Sequence, residues 1–172
     1  TARFVVRSDA DDPQVVTIVA NNLEALFNVL AGELLPGLAL YPERYKLQVV
    51  VYRDRASYAR LLEELPVYEW SAGFYSPAGL IACHLELPTA DAATSVLLHE
   101  ATHAFLDRHI VRRGVALPRW LGEGFAEYVG NSAIRKGRLV PGRTVRGKFE
   151  LWRGGVARLE TKPGVQIEAA KA

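Results

Sequence analysis

The chain has 172 residues, of which 49% are hydrophobic and 23% charged, and its formal net charge is +2. These are the proportions of a single domain able to bury a core, and they exclude a disordered chain or a coiled coil. No stretch approaches the roughly 20 uninterrupted apolar residues of a membrane span, so no transmembrane segment is expected. Cys83 is the sole cysteine, which removes internal disulfides and cysteine-cluster metal sites, so any metal site must use histidine and carboxylate. The opening Thr1 in place of Met leads us to expect a processed or trimmed product whose targeting segment lies outside this chain. Compartment is left open, with export or the cell envelope as one expectation.

Phe4-Val5-Val6 reads as a short strand. Asp11-Asp12-Pro13 offers an N-cap followed by Pro at the first helical turn. Val16, Val19, Leu23, Leu26, Phe27 and Leu30 then recur at helical spacing up to Pro36-Gly37. Lys46–Tyr52 contains the β-branched run Val49-Val50-Val51 of a strand inside a sheet. Asp54 caps a second helix through Tyr58, Leu61, Leu62 and Leu65, closed by Pro66. Gly73-Phe74-Tyr75 and Leu80–Leu85, joined by Ser76-Pro77-Ala78-Gly79, predict a β-hairpin.

From Asp91, taken as an N-cap, the sequence runs without Pro or Gly to Arg113. It predicts a largely buried helix ended by Gly114. Pro118 starts a further helix that stops at Gly130. The remainder, with Pro141-Gly142, Gly147, Gly154-Gly155 and Pro163-Gly164, predicts short strands and turns. Between Asn131 and Arg158 this C-terminal part is basic: Arg135, Lys136, Arg138, Arg143, Arg146, Lys148, Arg153 and Arg158 stand against Glu150 alone. Without aromatic interleaving or a nucleic-acid motif, a solvated surface is expected and no nucleic-acid partner. We expect one α+β domain over residues 1–172, with 131–172 as a basic, turn-rich C-terminal extension.

His99-Glu100-Ala101-Thr102-His103 is an H-E-x-x-H motif placed mid-way along the helix predicted from Asp91 to Arg113. Four residues at about 100° each bring His103 about 40° round and about 6 Å along from His99, so both imidazoles leave one helix face and can converge on one ion. Zn²⁺ suits that donor set, since a catalytic zinc takes three protein ligands and keeps a fourth position for water. Glu100, next to His99, is positioned to take that water's proton as general base.

The third ligand has two candidates. His109 holds the third-histidine position of the metzincin pattern. Leu106, however, stands where that pattern needs a Gly to leave the helix, and the chain has no Met for a Met-turn. His109 is therefore assigned to ordinary helix surface. Glu123 is the alternative: Gly122 and Gly124 flank it, costly residues inside a helix unless close approach to a neighbour requires them. Glu127, one turn further along, is placed to accept a hydrogen bond from the outer nitrogen of a metal-bound histidine.

His99 to His103 followed by Glu123 within Trp120-Leu121-Gly122-Glu123-Gly124-Phe125-Ala126 resembles the gluzincin metallopeptidases. It is similar to their aminopeptidases, which carry H-E-x-x-H and W-L-N-E-G-F-A. The nearer resemblance is to bacterial peptidase-MA-like domains, through Gly73-Phe74-Tyr75, His99 to His103 and Pro118 to Tyr128. The resemblance covers about residues 73–130 and implies His99, His103 and Glu123 as zinc ligands, Glu100 as base and Glu127 as the carboxylate behind the ligands. It implies a zincin-like fold, a small mixed sheet beside the H-E-x-x-H helix, and peptide or protein substrates. In such folds the substrate lies along the edge strand, expected here around Leu80–Leu85. Gly122 stands where the aminopeptidases carry Asn, and no G-A-M-E-N segment is present. Tyr75, His84 and Tyr128 are the side chains available as oxyanion donors. A second expectation is a non-catalytic, zinc-stabilised domain that binds peptide or an anionic surface. A third is hydrolysis of a non-peptide amide.

Overall fold

The computed structural model describes residues 1–42, 45–63, 65, 71–111, 117–136 and 138–140. Among them the chain is α+β, with one small mixed sheet, four helices and a separate two-stranded hairpin. Strands β1 (Phe4–Ser8), β2 (Leu47–Tyr52), β3 (Gly73–Ser76) and β4 (Leu80–His84) form the sheet in the order β1-β2-β4-β3. The β1–β2 and β2–β4 pairs are parallel, and β3 runs antiparallel to β4.

Alternation along the strands divides the sheet into two faces. Phe4, Leu47, Val49, Val51, Ile81 and Cys83 face one way and join the main core. Ala82 and Phe74 face the other way and pack with Tyr58 and Leu62 of helix α2 (Arg55–Leu62). That helix begins as expected, with the Asp54 carboxylate accepting the Ser57 N–H at 2.7 Å. Pro66, expected to close it, lies outside the described residues.

Helix α1 (Gln14–Val29), prolonged by a π turn over Leu30–Leu34, covers the main face and buries Val19, Leu23, Leu26, Phe27 and Leu30. Each such side chain contributes about 1.5–3 kcal/mol of burial free energy. By length and composition this segment, Gln14–Leu34, is also apolar enough to cross a membrane. Its fully buried Leu23, Leu26 and Leu30 use that apolarity in the core.

Helix α3 (Ala90–Phe105), prolonged by a π turn over Leu106–Ile110, lies on the same face. Its N-cap is Thr89 rather than Asp91: Thr89 is extended and its hydroxyl accepts the Ala92 N–H at 3.1 Å, which leaves Asp91 inside the first turn. The helical run ends at Ile110 and not at Arg113, because Val111 is already extended. Gly114 lies outside the described residues. Ala101 and Ala104 are fully buried, small enough for α3 to settle close to the sheet. Gly73 is the tightest point: a Cβ there would stand 2.6 Å from Val96 Cγ1 and 3.0 Å from the Ala82 carbonyl oxygen.

The hairpin expected at Ser76–Gly79 is present. Gly79 N–H donates to the Ser76 carbonyl at 2.8 Å and Gly79 takes φ +97°. The expected edge strand is not where the sequence put it. Leu80–His84 is paired on both sides, to β2 and to β3, so the edges are β1 and, beside β4, β3. Hairpin order alone does not reveal that β2 claims the other flank of β4.

Helix α4 (Arg119–Gly130) packs along α3. The hairpin β5 (Ala133–Arg135) and β6 (Arg138–Val140) follows, with Leu139 buried in the main core and Lys136 at φ +50° in its turn. The turns and basic residues expected from Pro141 onward lie outside the described residues.

Candidate metal centre

Two turns of α3 and one of α4 build the centre. His99 and His103 leave the same face of α3 with ring centroids 4.8 Å apart, and their Nε2 atoms are 3.1 Å from one another. Glu123 on α4 brings Oε2 to 3.5 Å from His99 Nε2 and to 3.5 Å from His103 Nε2. These are the described residues whose donor atoms cluster closely enough to hold a metal ion. The triangle can be tested against zinc geometry: bonds of about 2.0–2.1 Å at tetrahedral angles place neighbouring donors about 3.3 Å apart. Edges of 3.1, 3.5 and 3.5 Å fit. Side-chain exposures of 21%, 23% and 50% for His99, His103 and Glu123 leave the triangle reachable from solvent.

What brings α4 this close is Gly130. A Cβ at that position would lie 3.0 Å from the Ser95 carbonyl oxygen and 3.1 Å from His99 Cβ, so the two helices cross where one has no side chain. The clearance expected at Gly122 and Gly124 is therefore corrected. A Cβ at either would meet nothing within 4 Å among the described residues. Glu123 reaches the histidines because the helices already touch about two turns further on, at Gly130.

Glu100 sits on α3 beside His99, partly buried. Burial pushes its carboxyl up to about 8, against the opposing effect of a hydrogen bond from the Tyr75 backbone N–H and with a smaller upward push from Glu123. Desolvation dominates because the charged form loses more hydration than one N–H restores. The Tyr75 N–H comes from β3, so the edge strand touches the carboxylate that neighbours His99 in sequence.

Behind His99, Glu127 places Oε2 3.5 Å from Nδ1. A donor at Nδ1 leaves the Nε2 lone pair for the triangle, the tautomer a metal ligand needs. Asn131, which sequence reasoning missed, donates its Nδ2 to Glu127 Oε1 at 3.1 Å and to the Glu127 carbonyl at 2.7 Å. The signal was available: residues 123, 127 and 131 share one face at i, i+4, i+8.

The three candidate oxyanion donors are dispersed. The Tyr75 hydroxyl donates to Asp107 Oδ2 at 2.7 Å. His84 is 3% exposed, with its ring against Tyr58 on the α2 side of the sheet. Tyr128 is exposed on α4. His109 is also corrected: it is 6% exposed rather than on the surface, packed against Phe27 and Phe105, with Nδ1 donating to the Tyr41 carbonyl at 2.8 Å. Leu106 keeps the chain helical as expected, through a π turn that delivers His109 into the core.

No family model, curated protein or solved structure matches the chain.

Proposed function

We propose that this chain is a zinc-dependent peptide hydrolase of the gluzincin type, with a zincin-like arrangement of sheet, H-E-x-x-H helix and ligand-bearing helix. The observation that carries the reading is the triangle of His99 Nε2, His103 Nε2 and Glu123 Oε2, whose edges of 3.1–3.5 Å suit one tetrahedral ion. His99, His103 and Glu123 would hold the zinc, and Glu127 would keep His99 in its ligating tautomer. Zinc held by three protein ligands supplies a Lewis acid and lowers the pKa of water to about 7.

Glu100 has the position of the general base. Its carboxylate adjoins His99 in sequence, is steadied by the Tyr75 N–H and is shielded enough to hold a proton at its own oxygens. It takes the proton from water and passes it to the leaving amine. The substrate peptide is read as an added strand along β3 (Gly73–Ser76), the sheet edge in contact with Glu100.

The test is cleavage of a peptide library followed by mass spectrometry, with wild-type and Glu100→Gln proteins loaded with zinc. Cleavage by wild type, reduced about 10²–10⁴-fold in Glu100→Gln, is expected. Zinc binding without peptide cleavage by wild type would favour the zinc-stabilised binding domain instead. Cleavage confined to non-peptide amides would move the substrate class and keep the site.

A further inference from the structure

Asn131 immediately follows α4, and its backbone N–H donates to the Glu127 carbonyl at 3.1 Å. The side chain donates to that carbonyl as well, at 2.7 Å, so part of its role is to close the helix. Helix closure does not explain why the residue is Asn. Its backbone, at φ −84° and ψ 13°, is not in the left-handed region where Asn and Gly are favoured at helix ends. Nor is the amide well satisfied overall. Both groups it meets on Glu127 are acceptors, so Nδ2 must face them, and Oδ1 is left buried without a partner among the described residues. An unmet buried acceptor is destabilising, and a smaller residue would end the helix without it.

The second donation, to Glu127 Oε1 at 3.1 Å, supplies the missing reason. The terminal torsion of a Glu side chain is broad, so each bond to a carboxylate oxygen narrows the orientations it samples. With Oε1 fixed by Asn131, the other oxygen, Oε2, stands toward His99 Nδ1 at 3.5 Å. We propose that Asn131 is a positioning residue for the metal centre: its side-chain amide orients the Glu127 carboxylate, which in turn orients His99 as a ligand. The inference rests on the metal reading of the His99, His103 and Glu123 triangle. It adds to that reading an outer residue that acts through its hydrogen bond to Glu127.

The experiment is a double-mutant cycle read as zinc affinity, by competition with a chromophoric chelator at neutral pH. It compares wild type, Asn131→Ala, Glu127→Ala and the double variant, with thermal midpoints of the metal-free proteins taken alongside. Asn131→Ala is expected to weaken zinc binding about 10-fold, at the low end of the range for the outer partners of metal-bound histidines, and Glu127→Ala by up to about 100-fold. In the Glu127→Ala background, Asn131→Ala should cost no further affinity even where it lowers the thermal midpoint. Asn131→Asp, nearly isosteric, turns the donor into an acceptor facing Glu127 and should weaken zinc at least as much as Ala. It carries the test if Asn131→Ala does not fold. Wild-type affinity in both Asn131 variants, or the same fold loss with and without Glu127, would reduce Asn131 to a helix cap and overturn the proposal. A wild-type protein that binds no zinc would instead sink the metal reading on which it stands.

Discussion

Helix α3 with its terminal π turn carries three of the four histidines of the chain, and the two neighbours of this helix treat them in opposite ways. Where α3 faces α4, His99 and His103 are partly exposed and are met by the carboxylates of Glu123 and Glu127. Where its last turn faces α1, His109 is buried against Phe27 and Phe105, with one ring nitrogen held by the Tyr41 carbonyl. Residue type is the same in both regions and the distance between them is two turns. What separates a candidate metal ligand from a core residue is the partner helix: carboxylates open to water in one seam, aromatic rings out of water in the other.

The sharpest way to break the comparison is to remove donors from each seam and read zinc affinity. His103→Ala and Glu123→Ala should each lose at least the about 100-fold that marks the upper range for an outer partner, because a first ligand is removed outright. His109→Ala should leave zinc affinity unchanged while lowering stability by about 2–4 kcal/mol in urea unfolding, the range for a large side chain lost from a core. The reverse order would revive His109 as the third ligand. Acid extends the same contrast: an imidazole must be neutral to ligate, so affinity should fall steeply as pH drops below about 6. Flat affinity from about pH 5 to about pH 8 would argue against histidine ligation.

Smaller effects sharpen the α3–α4 seam. Gly130→Ala inserts a methyl 3.1 Å from His99 Cβ and should cost about 1–3 kcal/mol, with weaker zinc binding as α4 is pushed away. Gly124→Ala meets open space and should stabilise the helix by about 1 kcal/mol. Equal effects from the two substitutions, read by urea unfolding, would mean the crossing point is not at Gly130.

The same contrast explains what the sequence made legible. Helical spacing brings His99 and His103 to one face whatever surrounds them, and Glu123 to Glu127 is again one turn, so the donors could be listed from local rules. Asp54 as a cap and Val49-Val50-Val51 as a strand were legible for the same reason. Facts that depend on distant chain were not. The burial of His109 is decided by Phe27 and Tyr41, far away in sequence. That β4 is interior follows from its parallel pairing with β2, which no hairpin signal encodes. The purpose of a glycine depends on where two helices cross, so the conspicuous pair around Glu123 drew attention from the unobtrusive Gly130 at the helix end. Thr89 displaced Asp91 as cap because two suitable side chains stood two residues apart, and backbone geometry chose between them.

The central claim is tested most directly by diffraction from crystals of zinc-loaded protein, with anomalous data collected at the zinc edge. One ion per chain is expected, about 2.0–2.1 Å from Nε2 of His99 and Nε2 of His103 and about 2.0–2.2 Å from a carboxylate oxygen of Glu123. An ion bound elsewhere, or Glu123 turned out of its coordination sphere with the two histidines still ligating, would contradict it.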